Sequence, residues 1–154
     1  MGVFEPKRSG RLCWLAESNN FLTHYLNMMN RIYILSRCAL AVIFFYHGLI
    51  PKLLLQHEQE VLMNDALMPF VPEQTSLVVS GWMEIVLAIC FLVFFRNLWL
   101  NYVAIFFLVS VTVAIAVQLP ELMAYAFNPF SLNLAVVVLA VINIMAARRG
   151  QSGV

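Results

Sequence analysis

The residue best placed to do chemistry is Glu84, a carboxylate inside an otherwise apolar run. Two groups that can carry positive charge, His47 and Lys52, lie in another apolar run. A carboxylic acid within lipid must be protonated or paired, because an isolated charge is expensive there. If the two runs are antiparallel helices crossing a membrane, the three side chains reach similar depths. We therefore expect Glu84 to face other helices and to pair with the His47–Lys52 segment.

Two more apolar runs carry polar residues near their ends, Gln118 and Asn133. The polar pocket predicted within the membrane thus comprises His47, Lys52, Glu84, Gln118 and Asn133. Gly48 allows a neighbouring backbone to come close, and Pro51 is expected to kink its helix. Two interpretations stay open. The polar groups either hold helices together through hydrogen bonds, or they form a site for a ligand or a proton.

Arg37 is the remaining charged residue inside an apolar run, close to the beginning of the first. We expect it on the cytoplasmic side, with its long side chain extended toward lipid phosphates; a functional role is the alternative. The cysteines, Cys13, Cys38 and Cys90, show no metal-ligand or disulfide spacing. We assign no catalytic residue and no metal site.

The composition points to lipid as the solvent of these residues. The 154-residue chain is 62% apolar and 11% charged, against roughly 45–50% and about 25% in soluble domains. A small domain cannot bury so much apolar surface in water. The net charge of +1 gives no reason to expect a nucleic-acid partner.

Four apolar runs have the length of about 20 residues that a membrane-spanning helix needs. They lie at about 32–55, 75–95, 98–119 and 129–147. We therefore predict an all-α fold, a transmembrane four-helix bundle over residues 32–147. A short amphipathic helix is expected near 57–67, in the first outer loop.

The two ends of the chain flank this membrane domain. Residues 1–31 form an extension in which Leu22, Tyr25, Leu26 and Met29 follow helical spacing. An interfacial helix and a loosely ordered tail are both compatible with it. Residues 148–154 form a short tail.

The basic residues predict the orientation. Seven of them share the side of the termini and of the turn between the second and third runs: Lys7, Arg8, Arg11, Arg31, Arg96, Arg148 and Arg149. The other side carries Lys52 alone. Because basic residues stay in the cytoplasm, we expect a multi-pass protein of the cell membrane with both termini cytoplasmic.

Several of these segments resemble the DoxX-like family of small four-helix membrane proteins. The matching features are Arg37, F-Y-H-G-L-I-P-K at 45–52, the acidic loop and helix at 57–68, G-W-M-E-I-V-L-A at 81–88 and N-P-F-S-L-N-L-A at 128–135. The resemblance extends over about 31–147 and implies a four-helix transmembrane bundle. Some relatives are linked to quinone-dependent sulfur oxidation or to membrane redox complexes. The chain lacks a thiol pair and a haem-binding histidine pair, so no enzyme activity is carried over.

From these observations we expect a non-enzymatic accessory protein, or a subunit that binds a small ligand such as quinone or lipid. The alternatives are a small proton-coupled transporter and a membrane subunit of a quinone-linked oxidoreductase. No cofactor is evident, and quinone is the candidate. Membrane lipid is the expected partner, with a second protein or a second copy of the chain left open.

Overall fold

The computed structural model describes residues 8–125 and 128–151, and within them the predicted all-α fold is confirmed. The helices are α1 (Arg8–His47), α2 (Glu58–Leu67), α3 (Glu73–Val93), α4 (Trp99–Gln118) and α5 (Pro129–Gln151). A π-helical segment, Gly48–Leu54, continues α1, and a 3-10 turn, Pro120–Ala124, follows α4.

Four segments are long and apolar enough to cross a membrane: Asn20–Leu54, Glu73–Val93, Trp99–Gln118 and Pro129–Arg149. They correspond to the four predicted runs. The three later ones agree with prediction to within about two residues at each end, the usual uncertainty of a helix boundary. Pro129 occupies the first position of α5, where its missing N–H costs no hydrogen bond.

The N-terminal extension is helical from Arg8, and α1 passes through it into the first span without a break. The sequence left open an interfacial helix leading into a span that begins near Ile32, or a loosely ordered tail. No proline or glycine stands between Arg11 and Gly48 to end a helix. Residues 1–7 and 152–154 lie outside the described parts of the chain.

The π-helical segment begins where glycine and proline weaken the α-helical pattern. Pro51 lies inside it and has no N–H to donate to the preceding turn. The backbone N–H of Leu55 donates to the Ile50 carbonyl at 2.9 Å, which is the wider π-helical spacing. Single π turns within α-helices are frequent at functional sites.

The short helix α2 closes one end of the bundle by packing on α3 and α4. At the N-terminus of α2, the imidazole Nδ1 of His57 accepts a hydrogen bond from the Gln59 N–H at 3.4 Å. Acidic residues occupy the first turn, where they interact favourably with the helix dipole. The helix ends just before Pro69, which disfavours helical geometry in the preceding residue.

Small residues allow the long helices to pack closely. α1 packs on α3 and α5, and α4 packs on α5. Each of these four helices contributes one buried alanine to the core: Ala41, Ala88, Ala104 and Ala140. Without a hydrophobic drive inside lipid, such close van der Waals packing becomes a main source of helix association. We call the end covered by α2 the α2 end, and the opposite end, with the turn at Arg96, the Arg96 end.

Candidate functional site

The site at the α2 end begins with a crossing of two glycines. A Cβ atom on Gly48 would lie 2.5 Å from the Gly81 carbonyl oxygen, and one on Gly81 would lie 2.9 Å from the Gly48 carbonyl oxygen. Only glycine fits at both positions, because a side-chain carbon would overlap the facing backbone. Lys52 follows Gly48 by four residues and Glu84 follows Gly81 by three, about one helical turn in each case. The crossing thus fixes the distance between these two side chains.

Lys52, one of the two partners predicted for Glu84, forms an ion pair with it. The Lys52 Nζ atom donates to Glu84 Oε1 at 2.6 Å, and it lies 3.7 Å from Oε2 of Glu60 on α2. The Lys52 and Glu84 side chains expose only 10% and 12% of their surface. Oε2 of Glu84 is buried and has no hydrogen-bond partner among the described residues. The Lys52 ammonium group therefore contacts two carboxylates, and Oε2 of Glu84 remains without a hydrogen bond.

A cavity of about 640 Å³ lies beside this ion pair. Apolar side chains from all four spanning helices form most of its wall, among them Ile43, Phe44, Met83, Leu108 and Val136. α2 supplies one side of the wall through Met63 and Leu67. The polar lining residues are His47, Lys52, Gln59, Glu60, Asn64, Ser80, Glu84, Asn128, Ser131 and Asn133, with Tyr125 at the rim of the 3-10 turn.

The structure brings four of the five predicted pocket residues to this cavity. His47, Lys52, Glu84 and Asn133 all line it. The Asn133 amide Nδ2 also donates to the Thr112 hydroxyl at 2.8 Å, which joins α5 to α4. Gln118 differs from expectation, because it is exposed at the last residue of α4 and does not line the cavity. Leu122, buried in the following 3-10 turn, supplies the wall there instead.

Arg37 lies at the Arg96 end, and its predicted extension toward lipid phosphates is wrong. Its side chain is fully buried. Nε donates to the Phe91 carbonyl at 3.0 Å, Nη2 donates to the Phe94 carbonyl at 2.7 Å, and the guanidinium lies 4.9 Å from the centroid of the Phe91 ring. The last carbonyls of a helix lack partners and carry partial negative charge. The end of α3 thus offers the arginine two acceptors within the protein.

An asparagine network beside Arg37 was not foreseen. The Asn143 amide donates to the Tyr33 carbonyl and to the Ser36 hydroxyl, each at 2.9 Å. Asn101 donates to the Asn143 side-chain oxygen at 3.0 Å. A sequence signal existed, since Asn101 and Asn143 stand three residues from Ala104 and Ala140. That spacing places each asparagine on the same helix face as a core alanine.

An apolar layer separates the two polar regions. Leu40, Phe44, Phe91, Leu108 and the four core alanines belong to one buried cluster. The Phe44 and Phe91 rings stack with centroids 5.8 Å apart. Phe44 lines the cavity, whereas the Phe91 carbonyl accepts from Arg37. This stacked pair marks the boundary between the two polar regions.

Four apolar helices around a partly enclosed, largely apolar cavity define a small multi-pass membrane protein of the four-helix-bundle class. The chain belongs to the DoxX-like family, whose model matches residues 41–141, more than half of the chain. The matched range includes the glycine crossing and the ion pair, but begins after Arg37. Neither the comparison with curated proteins nor that with solved structures gives a match.

Proposed function

We propose that the protein is a non-enzymatic membrane subunit that binds a small amphipathic ligand, a quinone or a lipid, in the cavity at the α2 end. The observation that carries this proposal is the buried Glu84 carboxylate beside a largely apolar cavity. Ligand pockets commonly measure about 300–1,000 Å³ and combine apolar walls with a few converging polar groups. This cavity has both properties.

Interhelical hydrogen bonding alone accounts less well for the arrangement. Polar residues that only join helices need partners and close packing. Asn101 and Asn143 fit that description, since they bond to each other in the core without lining the cavity. Lys52 and Glu84 instead border the cavity, whereas the buried unpartnered atoms at the Arg96 end, Asn101 Oδ1 and Arg37 Nη1, belong to residues that do not line it. The contrast favours a binding role at the α2 end and a structural role at the Arg96 end.

The transporter alternative requires a polar path through the bundle, as in proton relays built from chains of ionisable residues. The apolar layer around Phe44 and Phe91 interrupts such a path between Glu84 and Arg37. This layer supports a ligand that enters and leaves on one side of it. It favours the binding function over proton-coupled transport.

Native mass spectrometry of the protein released from a mild detergent tests the proposal. We expect the wild type to carry a bound quinone or lipid, and Ser80→Phe, which fills the cavity from its wall, to lose it. Ser110→Phe is the matched control, because Ser110 is exposed on α4 and does not line the cavity. Equal retention of ligand by Ser80→Phe and Ser110→Phe, or no ligand on the wild type, would contradict the proposal.

We further propose that the protein lies in the cell membrane with the Arg96 end facing the cytoplasm. The excess of Lys and Arg near that end supports this orientation. The cavity then faces the outer half of the membrane.

A further inference from the structure

Several side-chain donors in the cavity wall already bond to other groups of the protein. The single hydroxyl protons of Ser80 and Ser131 go to the backbone carbonyls of Leu77 and Asn128. The amides of Asn64 and Asn128 donate to the carbonyls of Glu60 and Tyr125. The side-chain amide of Asn133 donates to the Thr112 hydroxyl, which itself donates to the Leu108 carbonyl. Lys52 directs its ammonium group at Glu84 and Glu60.

Several acceptors of the wall have no donor among the described residues. Oε2 of Glu84 has no partner in the described chain. Among the described residues, none donates to the side-chain oxygens of Asn64 and Asn133. The last torsion of a glutamate is broad, so either carboxylate oxygen of Glu84 can turn toward the cavity. A ligand head in this cavity meets acceptors that need a proton donor.

The net charge around the ion pair also favours a ligand head that donates hydrogen bonds. The ionisable side chains around the ion pair are Lys52, Glu60, Glu84 and His47. Two carboxylates face one ammonium group, so with a neutral imidazole the cluster has one negative charge in excess. A head that donates hydrogen bonds to carboxylate is favoured there, since hydrogen bonds to charged groups are the stronger ones. A head that only accepts hydrogen bonds cannot bond to either carboxylate.

We propose that the cavity selects amphiphiles whose head carries a hydroxyl, and binds the hydroxyl form of a redox pair more tightly than its carbonyl form. A hydroxyl donates to Glu84 or Asn133 and still accepts from the His47 N–H. A carbonyl group provides only the second contact. This inference rests on the proposed binding function and specifies the chemistry of its ligand.

Decylubiquinol and decylubiquinone test the selectivity, because they share one tail and differ in two hydroxyls against two carbonyls. Each is titrated anaerobically into the purified protein in detergent, and its Kd is taken from the concentration dependence of the melting temperature. We expect the quinol to bind about tenfold more tightly, the effect of one hydrogen bond to a charged acceptor. Glu84→Gln should reduce this ratio to about threefold or less, since the neutral amide is a weaker acceptor.

Glu121→Gln is the control, because it makes the same change at an exposed carboxylate outside the cavity; it should keep the wild-type ratio. If Glu84→Gln does not fold, Asn133→Leu takes its place and should also lower the ratio. Equal affinities of the wild type for both forms, or tighter binding of the quinone, would refute the selectivity while leaving the binding function intact. If neither compound shifts the melting temperature and native mass spectrometry finds no bound ligand, both proposals fail.

Discussion

Lys52 holds two carboxylates from two different elements, Glu84 from α3 and Glu60 from α2. The contact with Glu84 at 2.6 Å is much closer than that with Glu60 at 3.7 Å. Glu84 is therefore the principal partner, and Glu60 attaches α2 to the rest of the bundle. Because removing one member of a buried pair strands the other, the cost depends on what replaces it.

Replacing Glu84 by alanine should destabilise the protein more than replacing it by glutamine. Glutamine keeps a hydrogen bond to Lys52, whereas alanine leaves the ammonium with the more distant Glu60 alone. We expect Glu84→Ala to cost about 1–3 kcal/mol, the range for a buried polar group left without its partner. Melting temperatures in detergent provide the measurement. The double variant Glu84→Ala/Lys52→Leu should recover part of the loss; a wild-type melting temperature for Glu84→Ala would contradict the pairing.

Arg37→Met should lower the melting temperature strongly. The substitution removes two charge-assisted hydrogen bonds to the end of α3, and each such bond contributes about 1.5–3 kcal/mol. It also removes the contact of the guanidinium with the Phe91 ring. Arg31→Met is the matched control, because Arg31 is exposed on the same helix. Equal melting temperatures for the two variants would indicate that Arg37 contacts lipid headgroups rather than α3.

At the scale of the elements, the glycine crossing and the π-helical segment determine where the charged residues meet. The helices approach closely because neither glycine has a side chain. Pro51 lies between Gly48 and Lys52 inside the π segment. The added width of a π turn rotates the residues that follow it relative to a regular α-helix. The direction in which Lys52 points therefore depends on this local geometry.

Gly48→Ala should destabilise the bundle and weaken the ion pair together. The new methyl group would lie 2.5 Å from the Gly81 carbonyl oxygen and 3.1 Å from Glu84 Cβ, so the helices must separate. Inserted carbon in a packed core costs about 1–3 kcal/mol. Melting temperature reports the loss, and Ala116→Val on the exposed face of α4 controls for added volume. If Gly48→Ala matches Ala116→Val, the crossing does not hold the helices together.

Helix number, approximate span boundaries and the pairing of Glu84 with the His47–Lys52 segment followed from the sequence, although the choice of Lys52 over His47 did not. Lipid restricts the chain to helices that satisfy their own backbone, and a carboxylate at that depth needs a partner. The contacts of Arg37 could not be predicted from the sequence. Its acceptors are backbone carbonyls at the end of another helix, and the sequence alone does not reveal which residues these carbonyls face. Gln118 was misplaced because the sequence does not reveal which face of α4 borders the cavity, and this last residue of the helix is exposed.

The whole molecule has two ends with different chemistry. At the Arg96 end, the buried polar groups Arg37, Asn101 and Asn143 are bonded to other helices and hold the bundle together. At the α2 end, Glu84 and Asn133 border a cavity closed by a short helix. The apolar layer between them keeps the two sets of groups apart. The polar groups of one half therefore connect helices, whereas those of the other half border the cavity.

The orientation of the molecule decides which side of the membrane the cavity serves. Single cysteines are introduced at Ser9, Gln59 and Ser152 in a background lacking Cys13, Cys38 and Cys90. Intact cells are then treated with a membrane-impermeant maleimide. Because basic residues concentrate near the termini and near Arg96, we expect labelling at Gln59, which is exposed at the start of α2, and protection at the other two positions.

Permeabilised cells are the control in this experiment, because all three cysteines should react once the reagent reaches both sides. The even number of spans provides an internal check on the result. Four crossings place both termini on one side, so Ser9 and Ser152 must behave alike whichever way the protein faces. Labelling at Ser9 and Ser152 with protection at Gln59 would reverse the orientation and place the cavity on the cytoplasmic side. Different behaviour of Ser9 and Ser152 would be incompatible with four crossings.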